Sequence, residues 1–178
     1  MNSNNNLRSK YDYVGRFYNG FAKVSLTKYG FINQKGEEVI PVKYDEVEDF
    51  KNGFAMVSLN GKWGFINEKS EEVVSLKYDG VMDFKNGFAK VKLNGKWGFI
   101  NEKGEEITPL KYEGAWYFEN GFARVKSNGK EGHINEKGEE AIPLKYDWVG
   151  MFRNGFAIVQ LNGKKLLINE KGEEVERK

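Results

Sequence analysis

The chain has 178 residues, with 28 lysine and arginine residues against 26 aspartate and glutamate residues and no cysteine. The lack of cysteine excludes disulfides and thiolate metal sites, and a net charge of only +2 gives no indication of a polyanionic partner. Aromatic residues make up 15% of the chain, which is not the composition of a disordered protein.

The first ten residues, "MNSNNNLRSK", are polar and contain no apolar core. We therefore expect neither a signal peptide nor an anchor there, and we expect residues 1–9 to be a disordered polar segment. No apolar run approaches the roughly eighteen residues that a transmembrane helix needs. The expected location is the cytoplasm.

The rest of the chain is one motif repeated five times. The tetrapeptide "NGFA" recurs every 33 or 34 residues, starting at Asn19, Asn52, Asn86, Asn120 and Asn154. A regular period of this length is typical of repeat architectures. We predict a single repeat domain over residues 10–178, with repeats at 10–42, 43–76, 77–110, 111–144 and 145–178.

Each repeat is predicted to be β-structure. The apolar runs "FAMVSL" and "KWGFIN" flank Asn60-Gly61, and Asn-Gly between two such runs predicts a type I′ hairpin turn, which needs positive φ at both central residues. A second turn follows at "EKGEE", and then a third strand that contains proline in three repeats. Because proline cannot donate to a ladder, that strand should be an edge strand or be bulged.

The fold class that follows is all-β, a tandem array of five hairpin or meander units. We favour an open, β-solenoid-like superhelix, because repeat 5 ends in the charged "GEEVERK" and terminal repeats of open arrays are atypical. Units of 34 residues are also short for four-stranded blades, which take about forty residues. A five-bladed, propeller-like ring is the alternative.

A two-residue turn fixes the register of the hairpin. Leu59 then opposes Lys62, and Val57 opposes Gly64, so Gly64 lies on the aliphatic face and leaves a gap where another backbone can approach closely. The same register places Lys92 opposite Trp97, Lys126 opposite Glu131 and Arg124 opposite His133. The hairpin turn of repeat 1 is one residue shorter, so this argument does not fix its register.

The signature "NGKWGFIN" at residues 60–67 and 94–101, with "NGFA" and "GEEVIP"-like segments around it, resembles the bacterial WG repeat family, also called the KWG repeat. The resemblance covers residues 10–178, although the signature changes to Tyr29-Gly30, Glu131-Gly132 and Lys165-Leu166 in the other repeats. It implies a β-repeat array that serves as a protein-interaction scaffold, with no shared enzymatic activity.

No residue in the sequence is well supported as a catalytic group. The carboxylates that follow "KY" recur in every repeat, and repetition indicates a turn-forming role rather than acid–base chemistry. His133 is the only histidine and is interpreted as a surface-facing substitution for phenylalanine. "NEKGEE" lacks the alternating oxygen ligands of a calcium loop. We therefore predict no enzyme, no catalytic residue, no metal and no cofactor.

Two columns of lysine recur, one after the Asn-Gly turn and one in "KY". Stacked repeats would turn each column into a cationic ladder that could follow phosphates. Columns of glutamate run beside them, and alternating ladders of opposite charge are expected on any soluble repeat surface. Nucleic-acid binding is therefore a minor alternative.

The segment between "YD" and the next phenylalanine varies most between repeats, and it is the candidate binding surface. If the repeats stack, its apolar residues form a ridge, with two arginines at the rim: Met82, Trp116, Tyr117, Trp148 and Met151, then Arg124 and Arg153. Trp, Tyr and Arg dominate the energetics of interfaces. A packing role is an equal alternative, because Gly114 accompanies Trp116 and Gly150 accompanies Trp148, as if each large residue fills the space beside a small one.

The sequence thus predicts a non-enzymatic module that binds another protein, of unknown identity, through this surface. Such a module could act by occluding its partner, as an inhibitor or anti-defence protein would. Glycan or cell-wall binding through the exposed aromatics is the alternative from another class, together with nucleic-acid binding on the lysine ladders.

Overall fold

The computed structural model describes residues 9–176, and these form two compact units that divide between Asp83 and Phe84. The prediction of a disordered segment over residues 1–9 falls outside the described residues except at Ser9, which is helical together with Lys10. The prediction of one repeat domain over 10–178 stays a prediction.

The first unit contains nine β-strands, and eight of them form two four-stranded antiparallel sheets in the orders β1-β2-β3-β4 and β5-β6-β7-β8. The strands are β1 (Tyr13–Val14), β2 (Phe21–Ser25), β3 (Tyr29–Asn33), β4 (Glu38–Tyr44), β5 (Glu46–Val47), β6 (Phe54–Leu59), β7 (Lys62–Asn67), β8 (Glu72–Tyr78) and β9 (Gly80–Val81).

The second unit contains the hairpin β10-β11, the four-stranded sheet β12-β13-β14-β15 and the three-stranded sheet β16-β17-β18, all antiparallel. The strands are β10 (Phe88–Leu93), β11 (Lys96–Asn101), β12 (Gly114–Ala115), β13 (Phe122–Ser127), β14 (Lys130–Asn135), β15 (Glu140–Tyr146), β16 (Trp148–Val149), β17 (Phe156–Leu161) and β18 (Lys164–Asn169). The all-β prediction with five repeated units is confirmed, and the choice between an open array and a ring stays a prediction.

Asn-Gly turns set the hairpins. Asn60 and Gly61 have φ of 53° and 72°, as the predicted type I′ turn requires, and the same signs recur in repeats 3 to 5. The Asn-Gly of "NGFA" adopts the same conformation, with φ of 52° at Asn52 and 82° at Gly53. It closes a second tight turn in each repeat, which was not predicted from the sequence.

The predicted register of the central hairpin is confirmed. Leu59 pairs with Lys62, and Val57 pairs with Gly64. In repeat 1 the shorter turn leaves the strand register unchanged, since Val24 pairs with Gly30 in the same way. The aliphatic face is the core, but Phe65 on the opposite face is buried as well. The hairpin is therefore covered on both sides.

Gly64 allows the third strand of its own repeat to cross closely. A Cβ at this position would overlap the carbonyl oxygen of Val74 and lie 2.9 Å from the Ser75 carbonyl group. The register of β7 against β8 shifts on both sides of Phe65, so β8 is the bulged edge strand that the prolines in its counterparts predicted. In repeat 5 the glycine is replaced by Leu166, and within residues 9–176 the third segment forms an isolated bridge between Ile168 and Glu174 instead of a strand.

The hydrophobic core is shared between neighbouring repeats. In the first unit, Phe50 of repeat 2 packs with its ring centroid 4.6 Å from that of Phe21 and 4.9 Å from that of Phe31, both in repeat 1. In the second unit, Phe118 of repeat 4 lies in the same way against Phe88 and Phe99 of repeat 3. Phe50 and Phe118 thus each fill a gap in the repeat before their own.

Two polar contacts accompany each inserted ring. The side-chain amide of Asn19 donates to the carbonyl oxygen of Phe50 at 3.0 Å, and Asn86 and Asn120 make the same bond to the repeats that follow them. In repeats 1 to 4 a lysine at the tip of the hairpin pairs with the carboxylate after the next "KY", as Lys62 does with Asp79 at 2.6 Å. These contacts fix each repeat relative to its neighbour within a unit.

No helix in the described part of the chain, residues 9–176, is long and apolar enough to cross a membrane.

The close crossing at Gly64 predicts that Gly64→Ala lowers the free energy of unfolding by about 3 kcal/mol, because the added methyl group would meet backbone atoms that cannot move aside. Gly80→Ala is the matched control, since a Cβ at Gly80 meets nothing within 4 Å. Urea unfolding of both variants gives the comparison. Equal midpoints for the two variants would contradict the crossing.

Candidate functional site

The carboxylates that follow "KY" hold the hairpin turns. Asp147 accepts from the backbone N–H of Asn162 at 2.7 Å and from Lys130 Nζ at 2.6 Å, and these contacts keep the pKa of its carboxyl below the usual value. In repeat 4, Glu113 accepts from the N–H groups of Asn128 and Gly129. These carboxylates stabilise turns and link repeats.

The lysine columns are matched by negative charge and by aromatic rings. Lys28 and Lys130 pair with Asp45 and Asp147. The lysines of "KY" lie over the tyrosines next to them, with Lys43 Nζ 5.1 Å from the centroid of Tyr44. Apart from Lys164, the lysines of both columns thus have partners within residues 9–176, which favours a structural role over phosphate binding.

The two tryptophans of the variable segments lie on the surface, over glycines. The six-membered ring of the Trp116 indole covers Gly114, where a Cβ would lie 3.1 Å from that ring, and Trp148 covers Gly150 in the same way. The exposed fractions are 36% for Trp116 and 40% for Trp148. Each indole therefore packs on its own segment and still presents more than a third of its surface to solvent.

Arg124 joins the two segments. Its guanidinium carbon lies 3.7 Å from the centroid of the Trp116 ring, and Nη1 donates to the carbonyl oxygen of Val149 at 3.3 Å. The Nε atom lies 3.9 Å from Oε2 of Glu131, with no hydrogen-bond partner in residues 9–176. A cation stacked on an indole is a stabilising contact that also presents a flat, amphipathic surface.

A surface cavity of 510 Å³ lies beside this stack, in the second unit. It is mostly apolar with two arginines, and its lining consists of Arg124, Trp148, Gly150, Met151, Arg153, Phe156, Ile158 and Leu167. We call it the repeat 5 cavity. Four of the seven residues predicted from the sequence, Arg124, Trp148, Met151 and Arg153, line it together.

The other three predicted residues lie elsewhere. Trp116 reaches the repeat 5 cavity only through its contact with Arg124. Tyr117 is half-buried under Lys90, whose Nζ lies 4.5 Å from the ring centroid and whose pKa is lowered by burial. Met82 is exposed in the first unit. A ridge formed by all of the predicted residues stays a prediction.

The acidic variable segment of repeat 2 has a cation beside it. Lys23 Nζ lies 3.5 Å from Oε2 of Glu48 and 3.3 Å from Oδ1 of Asp49. Lys23 and Glu48 also line a second cavity, of 460 Å³, in the first unit.

Phe156, Ile158 and Leu167 form the apolar floor of the repeat 5 cavity and were not predicted from the sequence. Phe156 is the phenylalanine of "NGFA", whose counterparts in the other repeats are half-buried. Leu167 takes the place of a phenylalanine that is fully buried in repeats 1 to 3. In the sequence, the only sign of this floor is the change from phenylalanine to leucine at Leu167. That change indicates an exposed site only once it is known which faces of the repeats are covered.

The prediction of a surface-facing His133 was wrong. His133 is completely buried, and its ring centroid lies 5.0 Å from that of Phe152 of the next repeat. Neither ring nitrogen has a hydrogen-bond partner in the described structure. Burial, and then the nearby charge of Arg124, lower the pKa of His133 to about 4. The ring fills the space that phenylalanine fills in repeats 1 to 3.

The expected pair of Lys126 and Glu131 is confirmed as a cross-strand pair of Cα positions. The carboxylate of Glu131, however, turns away from solvent: it accepts from the Val149 N–H at 3.2 Å and lies near Arg124. Glu131 is therefore a buried member of the Arg124 cluster.

The part of the chain that the structure describes contains no cluster of three or more His, Cys, Asp or Glu side chains that could hold a metal ion.

Comparison with known proteins identifies the repeat. The family model described as "WG containing repeat" matches five times, over residues 2–27, 29–63, 63–97, 97–130 and 132–164. Four of the five matched segments begin near the middle of a repeat as predicted from the sequence, and the first begins at residue 2. No curated protein matches the chain.

Two solved structures show the extent of structural likeness. Hsv2 from Kluyveromyces lactis is 12% identical with a TM-score of 0.42, and the match covers 88% of this chain and 59% of Hsv2. A protein of unknown function from Bacteroides caccae is 15% identical with a TM-score of 0.32, and the match covers 91% of this chain and 78% of that protein. This chain thus spans about three fifths of the length of Hsv2.

Burial of neutral His133 predicts an acid-sensitive stability. Because the pKa is about 4 in the folded protein and 6.5 as the ordinary value, the unfolded chain binds more protons between these pH values. The stability is fully present above pH 6.5 and is lost as the pH falls toward 4, by about 2 kcal/mol between pH 7 and pH 5.

His133→Phe is the matched variant, since phenylalanine occupies this position in repeats 1 to 3. We expect it to lose about 2 kcal/mol less than the wild type between pH 7 and pH 5 in urea unfolding. The same loss in both proteins would show that His133 does not titrate in this way.

Proposed function

This chain belongs to the WG containing repeat family, and on that premise we propose that it is a non-enzymatic module that binds another protein. The observation that carries the proposal is the repeat 5 cavity, where two arginines and an exposed tryptophan surround an apolar floor. Arg and Trp next to a desolvated apolar surface are typical of the centre of a protein interface.

The size and shape of the cavity support a protein ligand. A space of 510 Å³ with an apolar floor accepts a projecting side chain and the backbone around it. Arg124 and Arg153 at the rim supply donors for backbone carbonyl oxygens or carboxylates of the partner.

The stacking of Arg124 on Trp116 supports a rigid rather than an adaptable surface. The guanidinium is held on the ring, at the Val149 carbonyl and beside Glu131, so little freedom is left to lose when a partner binds. We propose that the module acts by occlusion, covering the segment of the partner that enters the cavity.

The proposal predicts that Trp148→Ala combined with Arg153→Ala weakens partner binding at least about tenfold, because truncated interface centres cost this much or more. The measurement is capture of a partner by tagged protein from the native lysate, identified by mass spectrometry, and then titration of the purified pair. Both substituted side chains are exposed, so the variant should remain folded, which urea unfolding checks.

Leu26→Ala combined with Lys69→Ala is the control. It removes one exposed apolar and one exposed cationic side chain from the first unit and should bind as the wild type does. A partner captured equally by the cavity variant would contradict the proposed site. Immobilised glycans and DNA tested in parallel cover the two other ligand classes, and binding there that requires Trp148 would replace the protein assignment.

A further inference from the structure

We propose that the occupant of the repeat 5 cavity is the first repeat of a second copy of this chain, which inserts Phe17 between Phe156 and Leu167. This inference rests on the proposed function and names the partner. It treats the cavity as one more contact between successive repeats, made between two molecules.

The contact between successive repeats supplies the template. Where one repeat follows another within a unit, a phenylalanine of the later repeat packs between two side chains of the earlier one. Phe50, Phe118 and Phe152 all do so, and each is only 1% exposed. Phe152, for example, lies with its ring centroid 4.6 Å from that of Phe122 and 5.0 Å from that of His133.

Both halves of this contact are present in the chain without a partner. Phe17 is the counterpart of Phe50 in repeat 1, and it is 42% exposed. Phe156 and Leu167 are the counterparts of Phe122 and His133 in repeat 5. Phe156 is also 42% exposed and Leu167 is half-buried. The two surfaces are therefore complementary in the same way as the surfaces that meet at Phe50, Phe118 and Phe152.

The groups that make the polar contacts of the template are also present at both faces. Asn154 corresponds to Asn19, Asn86 and Asn120, which donate to the carbonyl oxygen of the inserted phenylalanine. Within residues 9–176 the side-chain amide of Asn154 makes no such bond, and the carbonyl oxygen of Phe17 has the matching position. One hydrogen bond is therefore available across the contact.

An ion pair is available as well. Lys164 corresponds to Lys130, which pairs with Asp147 of the following repeat at 2.6 Å. Asp12 of repeat 1 corresponds to Asp147. In the described residues neither Lys164 nor the carboxylate of Asp12 has an ion-pair partner. A cation on one face and a carboxylate on the other would complete the pair.

The two faces differ, so the association is head to tail. A contact of this kind continues from copy to copy until a ring closes or a filament forms. A variant that lacks one face cannot add copies at that side, and its remaining face still binds a copy that has the complementary face.

Sedimentation velocity of the full chain over a wide concentration range tests the proposal. We expect the mass of the wild type to rise with concentration beyond that of a dimer. Phe17→Asp and Phe156→Asp should each be monomers, and an equimolar mixture of the two should give a heterodimer and nothing larger. Leu26→Asp is the control, because Leu26 is 49% exposed but belongs to neither face, and it should associate as the wild type does.

A wild type that stays a monomer at all concentrations would overturn the inference, as would association of Phe17→Asp alone or a mixture that stays monomeric. Phe17→Asp also separates this inference from the proposed function, since it leaves the repeat 5 cavity intact. A different protein bound equally by the wild type and by Phe17→Asp, with no self-association, would leave the proposed function standing and reject the second copy as the partner. No binding of any protein in either assay would reject both.

Discussion

One ring inserted between two side chains of the preceding repeat is the interaction on which the rest of the structure depends. A hairpin of this length buries too little apolar surface to be stable alone. Here Phe50, Phe118 and Phe152 each connect two repeats into one core, so a repeat completes its packing only with its neighbour. The turns, the lysine–carboxylate pairs and the asparagine bonds then align one repeat on the next within a unit.

Much of this could be predicted from the sequence, because it is local. Asn60-Gly61 determines the turn, the turn determines that Val57 meets Gly64, and the missing side chain at Gly64 indicates a close backbone. Burial at His133 could not be predicted in this way. Strand alternation says which residues share a face, but it does not say that the next repeat covers the second face too.

The candidate site likewise has one part that could be predicted from the sequence and one part that could not. The packing of Trp116 on Gly114 and of Trp148 on Gly150 could be predicted from the sequence, because a large residue beside a small one within three positions is a local pattern. The apolar floor of the repeat 5 cavity could not be predicted from the sequence. Phe156 has the same sequence context as phenylalanines that are half-buried elsewhere, and its exposure follows only from what packs against it.

The crossing strand at Gly64 has a consequence for how such a chain can change through time. A glycine is required in a repeat only while a third strand passes over it, and repeat 5, with a single bridge in that segment, tolerates Leu166. Natural selection therefore maintains the glycine of the Trp-Gly signature only in a repeat whose third strand crosses over it. A copy of repeat 5 duplicated into the interior would have to regain its glycine before its third segment could pair as β8 pairs with β7.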